Sequence, residues 1–478
     1  MNYSIIRYIL CKILEFAALF MALPFLVGII YQEEAAISFL IVMAGCLAVS
    51  LVGRRFKPTS KVFYAKEGFV TVSLSWILLS LVGALPFYLS GEFPTYVDAL
   101  YETVSGLTTT GATVLTDVEC LSRSIQFWRC FTHWIGGMGV LVLILAVLPL
   151  SGSYNMHLMR AESPGPSVGK LVPRVKNTAM ILYGIYIVIT VMEVIALLFA
   201  GMGLYEAMTL TFSTVGTGGF GLLNSSIGSY STSIQTIFTV FMLACGINFQ
   251  VYYLLLIRKP KEAFCSEELR YYLGIIFLAA VMIAINVRGF FESGFQAFHH
   301  SLFQVVSVMT TTGFATLDYN VWPEFSKAVL FLLTLLGACA GSTGGGFKVS
   351  RLIILWRCVK NEISVAIHPR SIKKIHMEGH TVEEGTLRSV QVYTAIYTLI
   401  FLVSFLLLSL NEFDFVTNIT AIAANFNNVG PGLNMVGPAG NYVQFSVFSK
   451  LVLMFDMLAG RLELLPILVL FSPKTWKR

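Results

Sequence analysis

Four short tracts carry residue types that could take an ion out of water. They read Thr108-Thr-Thr-Gly-Ala112, Gly216-Thr-Gly-Gly-Phe220, Thr310-Thr-Thr-Gly-Phe314 and Asn427-Asn-Val-Gly-Pro431. Aligned on Gly111, Gly219, Gly313 and Gly430, they place Thr109, Thr217, Thr311 and Asn428 two positions earlier. Between these lie Thr110, Gly218, Thr312 and Val429. Six positions before each glycine stand Ser105, Ser213, Ser307 and Ala424, and seven before it the apolar Val104, Phe212, Val306 and Ala423. Rings of backbone carbonyls can replace the hydration shell of a monovalent cation. Turning successive carbonyls to one axis needs φ values that a Cβ obstructs, which suits glycine. The Thr hydroxyls could bond the tract or add oxygens. The twelve residues Thr109 to Gly111, Thr217 to Gly219, Thr311 to Gly313 and Asn428 to Gly430 are therefore the candidate ligands.

Two other glycine patterns mislead. Gly216 to Gly221 satisfies G-x-G-x-x-G, but no strand precedes it and no acidic residue follows at ribose distance, so a dinucleotide site is excluded. Gly341 to Gly346 starts like a P-loop, yet Phe347 separates it from Lys348 and no Ser or Thr follows the lysine. No nucleotide is expected to bind this chain.

The elements that hold the tracts are apolar. The chain has 478 residues, 56% hydrophobic and only 12% charged, with mean hydropathy +0.76. Soluble domains average about 25% charged residues. Runs near the ~20 residues that a membrane helix needs recur from end to end. The first, Ile13 to Tyr31, lacks a small-residue cleavage site and reads as an anchor. Eight cysteines stand without a C-x-x-C pair, and seven histidines without H-E-x-x-H, so neither disulfides nor a metal centre is implied. The adjacent His299 and His300 read as a plain polar pair.

Ten spans are expected, near 13–31, 35–52, 68–89, 125–150, 179–201, 232–257, 271–289, 326–355, 390–410 and 444–470. Basic residues collect in alternate connections: Arg54, Arg55, Lys57, Lys61 and Lys66; Arg160, Lys170, Arg174 and Lys176; Arg258, Lys259, Lys261 and Arg270; Arg357, Lys360, Arg370, Lys373, Lys374 and Arg388; and Lys474, Lys477 and Arg478 at the end. The other connections carry Glu33, Glu34, Asp117, Glu119, Glu412 and Asp414. The positive-inside rule makes the basic connections and both termini cytoplasmic. Spread in this way, the basic residues mark topology, and no nucleic-acid partner is expected.

After two leading spans the remaining eight form four pairs, each joined by a short apolar stretch and one tract. Non-helical backbone at membrane depth is tolerated only inside protein or beside a water-filled cavity. Each pair therefore predicts span, re-entrant helix, extended tract, span, with re-entrant helices near 99–108, 206–214, 300–309 and 415–424. Their C-terminal ends would offer partial negative charge to a cation. The expected fold is an all-α polytopic membrane protein: two leading transmembrane helices plus four pseudo-fourfold helix–pore loop–helix repeats. The divisions are a two-helix N-terminal domain at 1–66 and pore repeats at 67–178, 179–270, 271–389 and 390–478.

At "SGLTTTGATVL", "MTTTGFAT", "NFNNVGPGL", "GSTGGGFK" and "GRLELLP" the sequence resembles the Trk/Ktr/HKT superfamily of cation transporters over nearly its whole length. The two leading spans resemble those of its bacterial potassium-uptake membrane subunits. The resemblance implies K⁺ as permeant ion, since relatives that favour Na⁺ carry Ser where this chain has Gly111. The fourth tract departs, with Val429 and Pro431 where the others have Thr or Gly and Phe or Ala. The resemblance further implies a homodimer in the bacterial inner membrane, one pore per subunit. It also implies a cytoplasmic nucleotide-binding regulatory ring of the TrkA type, docking near 151–178 and 357–389.

The eighth span is interrupted by Gly337, Gly341, Ser342, Thr343, Gly344, Gly345 and Gly346, followed by Lys348. Each glycine costs a helix interior ~1 kcal/mol relative to Ala, so a break is expected, with close helix packing as the alternative. Arg461 lies deep in the last span. A charge there needs a cavity or partner, with Asp456 and Glu463 as candidate ion-pair partners. The resemblance implies instead that Arg461 and the 337–346 loop form one gate.

Two rival readings stand beside this one. Symport of K⁺ with H⁺ or Na⁺ would call for intramembrane carboxylates, with Asp456 and Glu463 as deep candidates and Glu102 and Glu206 nearer the outer mouth. A Na⁺-permeable transporter would differ only in the tracts. An intramembrane enzyme is not expected, because His133 alone lies well inside a span and has no evident acidic partner.

Overall fold

The computed structural model describes residues 1–56, 64–139, 175–369 and 374–476. Lys57, Lys61, Arg160, Lys170, Arg174, Arg370, Lys373, Lys477 and Arg478 lie outside these residues, as do 140–150 of the fourth expected span and most of the 151–178 connection. The side chain of Lys176 is likewise not described.

Helix α1 (Tyr3–Ile30) and α2 (Ala36–Arg54) form a hairpin. The first unit follows as α3 (Ala65–Gly83), continued by α4 (Leu85–Leu89), then α5 (Tyr96–Leu107) and α6 (Arg123–Gly137). The second has α7 (Val175–Phe199), α8 (Leu204–Val215), α9 (Thr232–Cys245), α10 (Phe249–Leu256) and α11 (Pro260–Phe264). The third has α12 (Glu267–Asn286), α13 (Gly294–Met309), α14 (Glu324–Leu336) and α15 (Val349–Ile367). An antiparallel hairpin of β1 (His376–Met377) and β2 (His380–Thr381) comes next. The fourth unit has α16 (Glu384–Leu408), α17 (Phe415–Phe426), α18 (Val447–Arg461), α19 (Leu465–Phe471) and α20 (Pro473–Trp476).

Among the described residues six helical stretches are long and apolar enough to cross a membrane: α1, α2, α3 with α4, α7, α12 and α16 with its 3₁₀ extension. Large apolar side chains such as Leu19, Ile30, Phe277 and Leu406 stand exposed on them, as a lipid-facing surface requires. Opposite faces pack inward: Ile13, Met21 and Phe39 of α1 and α2 are wholly buried, and α1 lies against α3 and α6.

The re-entrant helices are α5, α8, α13 and α17. Three begin on a side-chain cap: Thr95 accepts from Asp98 N at 3.1 Å, Ser293 from Gln296 N at 3.2 Å and Asp414 from Thr417 N at 3.0 Å. Such caps satisfy first-turn N–H groups that have no intrahelical partner.

In the last three pairs the second span is not the continuous helix expected. Helices α9 and α10 meet at 89° across 246–248. Loop 337–348 parts α14 from α15, as the glycines predict. Helix α18 stops at Arg461 and α19 resumes at Leu465, with Glu463 and Leu464 at φ +57° and +65°. That last break carries no glycine at its turning residues, and only Pro466 at the start of α19 marks it.

Both chain ends share one face. Arg7 Nη2 donates to the Phe56 carbonyl at 3.1 Å, and Lys66 Nζ to that of Lys474 at 3.3 Å. Arg54, Arg55, Lys66 and Lys474 lie on or beside these contacts.

Candidate ion pathway

All four re-entrant helices end in one backbone motif. The N–H groups of Thr110, Gly218, Thr312 and Val429 donate to the carbonyls of Ser105, Ser213, Ser307 and Ala424 at 2.8–2.9 Å. Those of Thr109, Thr217, Thr311 and Asn428 donate to Gly106, Thr214, Val308 and Asn425. This is the Schellman pairing, with its left-handed residue just beyond the cap. That residue is Thr109, Thr217, Thr311 or Asn428, at φ +57°, +56°, +59° and +55°. Position −6 therefore matters for its carbonyl, which explains why alanine serves in the fourth unit. The trans peptide holds C=O antiparallel to the adjoining N–H. N–H groups folded back onto the helix end thus turn the carbonyls of Thr108 and Thr109, and their counterparts, away from it.

Three of those left-handed residues are β-branched, for which the conformation is an outlier. Backbone held this way costs ~1–3 kcal/mol per residue and clusters at functional sites. Asn428 is the residue type that tolerates it.

The four glycines close a ring. Their φ values are +81°, +79°, +81° and +91°. A Cβ on Gly111 would lie 2.0 Å from the Gly218 carbonyl oxygen, one on Gly219 2.0 Å from that of Thr312, one on Gly313 2.1 Å from that of Val429, and one on Gly430 2.6 Å from that of Thr110. Each tract thus abuts the next, and the fourth returns to the first. All twelve candidate ligands lie in these four strands of backbone, and those before the glycines are buried. Beyond the ring a cavity of about 130 Å³ touches all four glycines and is also lined by Arg129, Asn224 and Tyr442.

Loop 337–346 lies against the opposite side of the ring. The Gly345 N–H donates to the Thr311 hydroxyl at 2.6 Å. A Cβ on Gly344 would meet the Thr310 carbonyl oxygen at 2.8 Å, and one on Gly345 that of Asn427 at 2.5 Å. The bend between α9 and α10 receives the loop. Cys339 N–H donates to Gly246 O at 3.1 Å, Thr343 Oγ1 to Cys245 O at 3.2 Å, and Phe249 N–H to Gly341 O at 3.0 Å. The carbonyls and N–H freed by breaking that helix find their partners in the loop. Lys348 is buried, at φ +79°, and its ammonium donates to the Gly344 carbonyl.

Arg461 reaches the same place. It donates to the Thr343 carbonyl at 2.9 Å and to those of Gly136 and Gly137 at 2.5 and 2.6 Å. It therefore joins the fourth unit to the loop and to the end of α6. The candidate acids are engaged elsewhere: Glu463 pairs with Arg351, and Asp456 accepts from Ser404 at 2.7 Å.

A family model described as "TrkH: Cation transport protein" matches residues 37–287 and 292–478. The chain belongs to the TrkH family of cation transport proteins. The Trk system potassium uptake protein TrkH of Salmonella typhimurium is 38% identical over 469 residues, 96% of each chain. That of Escherichia coli K12 is 37% identical over 468 residues, with the same coverage. The crystal structure of the potassium transporter TrkH from Vibrio parahaemolyticus superposes with TM-score 0.90 over the whole of both chains at 31% identity. The fold expected from the sequence is thereby established, and this TrkH-family chain is a transport protein and not an enzyme.

Several contacts of this TrkH-family site escaped the sequence reading. Glu102 and Arg129 form a buried ion pair at 2.5 Å. Glu102 also accepts from Thr113 Oγ1 at 2.9 Å and Val114 N–H at 3.1 Å. Arg129 donates to the Gly221 carbonyl at 3.0 Å and stands over the Phe220 ring at 3.7 Å. The pair braces the exits of two tracts; their separation of 27 positions on different helices left no local pattern. His133 backs the second tract, where a Cβ on Gly218 would lie 1.4 Å from its Nδ1. This explains glycine where the first and third tracts have Thr110 and Thr312, whose hydroxyls pair with Thr108 and Thr310 at 2.8 Å. Glu193 and Glu268 are buried carboxylates beyond the four named from the sequence. His299 and His300 take separate partners, Gln235 and Thr316, each at 3.0 Å. Among the described residues no group of three or more His, Cys, Asp or Glu could hold a metal ion.

Proposed function

We propose that this chain carries K⁺ across the bacterial inner membrane, with the basic face and both termini in the cytoplasm and the units 67–178, 179–270, 271–389 and 390–478 acting as pore repeats. The closed ring of Gly111, Gly219, Gly313 and Gly430 is the observation that carries this reading. Carbonyls of Thr109, Thr110, Gly111 and their counterparts at 217–219, 311–313 and 428–430 replace the water around K⁺. The C-terminal ends of α5, α8, α13 and α17 add negative potential. Val429 and Pro431 make the fourth wall unlike the others, so discrimination against Na⁺ is moderate.

The 337–346 loop, with Lys348 and Arg461, is the gate. It is supported by the loop's bonds to Thr311 on one side and Arg461 on the other. Ion passage requires the loop to leave this position. Two copies assemble as a homodimer in lipid, and a TrkA-like nucleotide-binding ring docks on the cytoplasmic face. The nucleotide belongs to that ring. The relatives' names, which assign them to the Trk potassium uptake system, favour both K⁺ and further system components.

The experiment is rubidium uptake by vesicles holding the purified chain, compared with Gly313→Ser. Uptake that follows the rubidium gradient, and loses preference over Na⁺ in the variant, supports the proposal. No uptake under any gradient, from folded protein, removes it.

A second reading, symport of K⁺ with H⁺, is favoured by wholly buried Glu193 and Asp456 on spanning helices. A reversal potential set by K⁺ alone discards it; one that moves with pH supports it.

A further inference from the structure

The β1–β2 hairpin reaches the loop through two acids. Its turn presents Glu378, whose Oε1 accepts from Ser266 Oγ at 2.9 Å and from the Glu268 N–H at 3.2 Å. Its Oε2 accepts from the Glu267 N–H at 3.1 Å. These groups are the N-cap and first turn of α12, where N–H groups have no intrahelical partner and a carboxylate is favoured. The next link is Glu268 itself. Its Oε1 accepts from Ala340 N–H at 2.8 Å and from Ser350 N–H at 3.1 Å, all three buried. Ala340 lies in the loop and Ser350 in the first turn of α15, so one carboxylate pins both flanks of 341–346.

The hairpin also grips the far side of that span. Met377 is buried against Ile354 of α15 and Val390 of α16. Arg357 of α15 donates to Glu267 at 2.9 Å and to the His376 carbonyl. The hairpin thus ties α12, which carries the pin, to α15, which carries the loop's end. His376, Gly379, His380 and Thr381 remain exposed on its outer side.

We propose that the hairpin is a latch on the loop, with Glu378 and Glu268 as positioning residues: seated, the hairpin holds 337–346 under the ring, and lifted, it releases it. A loop anchored by a neutral side chain or by α15 alone would not need one carboxylate capping the start of α12 and a second within its first turn. Force applied at the exposed edge of the hairpin reaches the loop in two hydrogen bonds, from the Glu268 N–H to Glu378 and from the Ala340 N–H to Glu268. This rests on the reading of 337–346 as a gate.

Rubidium uptake is measured in vesicles for the unaltered chain, Glu378→Ala, Arg461→Ala and the double variant. The latch predicts several-fold faster uptake for Glu378→Ala, and little further gain when it is added to Arg461→Ala. It also predicts faster amide exchange at Ala340 and Ser350, with α1 and α2 unaffected. Glu378→Gln, which keeps an acceptor, falls between. Equal effects of Glu378→Ala in both backgrounds, slower uptake, or unchanged exchange at Ala340 and Ser350 would overturn the latch. Unchanged uptake in Arg461→Ala would instead remove the gate reading, and the exchange result then still decides whether Glu378 positions the loop. If Glu378→Ala cannot be recovered folded, Glu378→Gln carries the same comparison with a smaller effect.

Discussion

Gly345 and Thr311 are joined by a buried hydrogen bond of 2.6 Å, from the loop's backbone N–H to a hydroxyl of the third tract. The bond gives the Thr311 hydroxyl a partner at a position whose backbone, at φ +59°, favours glycine or asparagine. Strain in the tract is retained because the side chain holds the loop.

Thr311→Val keeps the shape and removes the acceptor. A buried N–H left unmet costs ~1–3 kcal/mol, and that cost falls on the loop in its seated position. Rubidium uptake in vesicles should rise several-fold, with thermal stability falling only slightly. Uptake that is unchanged while the protein remains folded would show that the bond does not hold the loop.

Arg461→Ala removes three bonds, one to Thr343 and two to the end of α6. It also removes a positive charge from the proposed route of the cation. Both changes act in one direction, so uptake should rise by more than in Thr311→Val. Arg461→Lys, which keeps the charge without the planar fork, should lie between the two. A lysine variant as fast as the alanine variant would assign the effect to geometry alone.

The second tract offers a swap. Gly218→Thr alone should abolish uptake, because its Cβ would collide with the His133 ring, 1.4 Å from Nδ1. His133→Gly opens that space. The double variant gives the second tract the same Thr-Gly pair as the first and third, and uptake should partly return. Additive losses in the double variant would mean that the two side chains do not share one space.

Asp414 caps α17 from outside the spanning segments. Partial burial alone would raise its pKa, but hydrogen bonds from the Thr417 hydroxyl and N–H and from Asn434 hold its carboxyl below the usual 3.8. A lowered folded-state pKa gives a stabilisation fully present above the unfolded value and lost as pH falls through the folded one. The thermal-stability difference between the unaltered chain and Asp414→Asn should therefore be constant from neutral pH down to about pH 5 and shrink below ~4. A difference that grows on acidification would contradict the cap's ionised state.

Much of the fold was legible because the tracts repeat. Gly111, Gly219, Gly313 and Gly430 each follow an apolar helix-length stretch, and register alone placed three re-entrant helices within three residues of their observed bounds, while the one in the third unit begins at Gly294 and not near 300. The break in the third unit was legible from its five glycines. The breaks at 246–248 and 462–464 carried only the weak marks of Asn248 at the start of α10 and Pro466 at the start of α19, and the contact of Gly246 with Cys339 in another unit left no local mark. The same holds for Glu268, which meets Ala340 and Ser350 across more than seventy positions. Arg461 was legible as a misplaced charge, but its partners are carbonyls, which every residue has, and so the acids at 456 and 463 drew attention instead.

The most direct test is a crystal grown in rubidium salt, with diffraction recorded at the rubidium absorption edge. The account predicts anomalous density on the axis enclosed by Gly111, Gly219, Gly313 and Gly430, diminished when Gly313 is replaced by serine. Rubidium bound only elsewhere, with that axis empty in a well-ordered map, would contradict it.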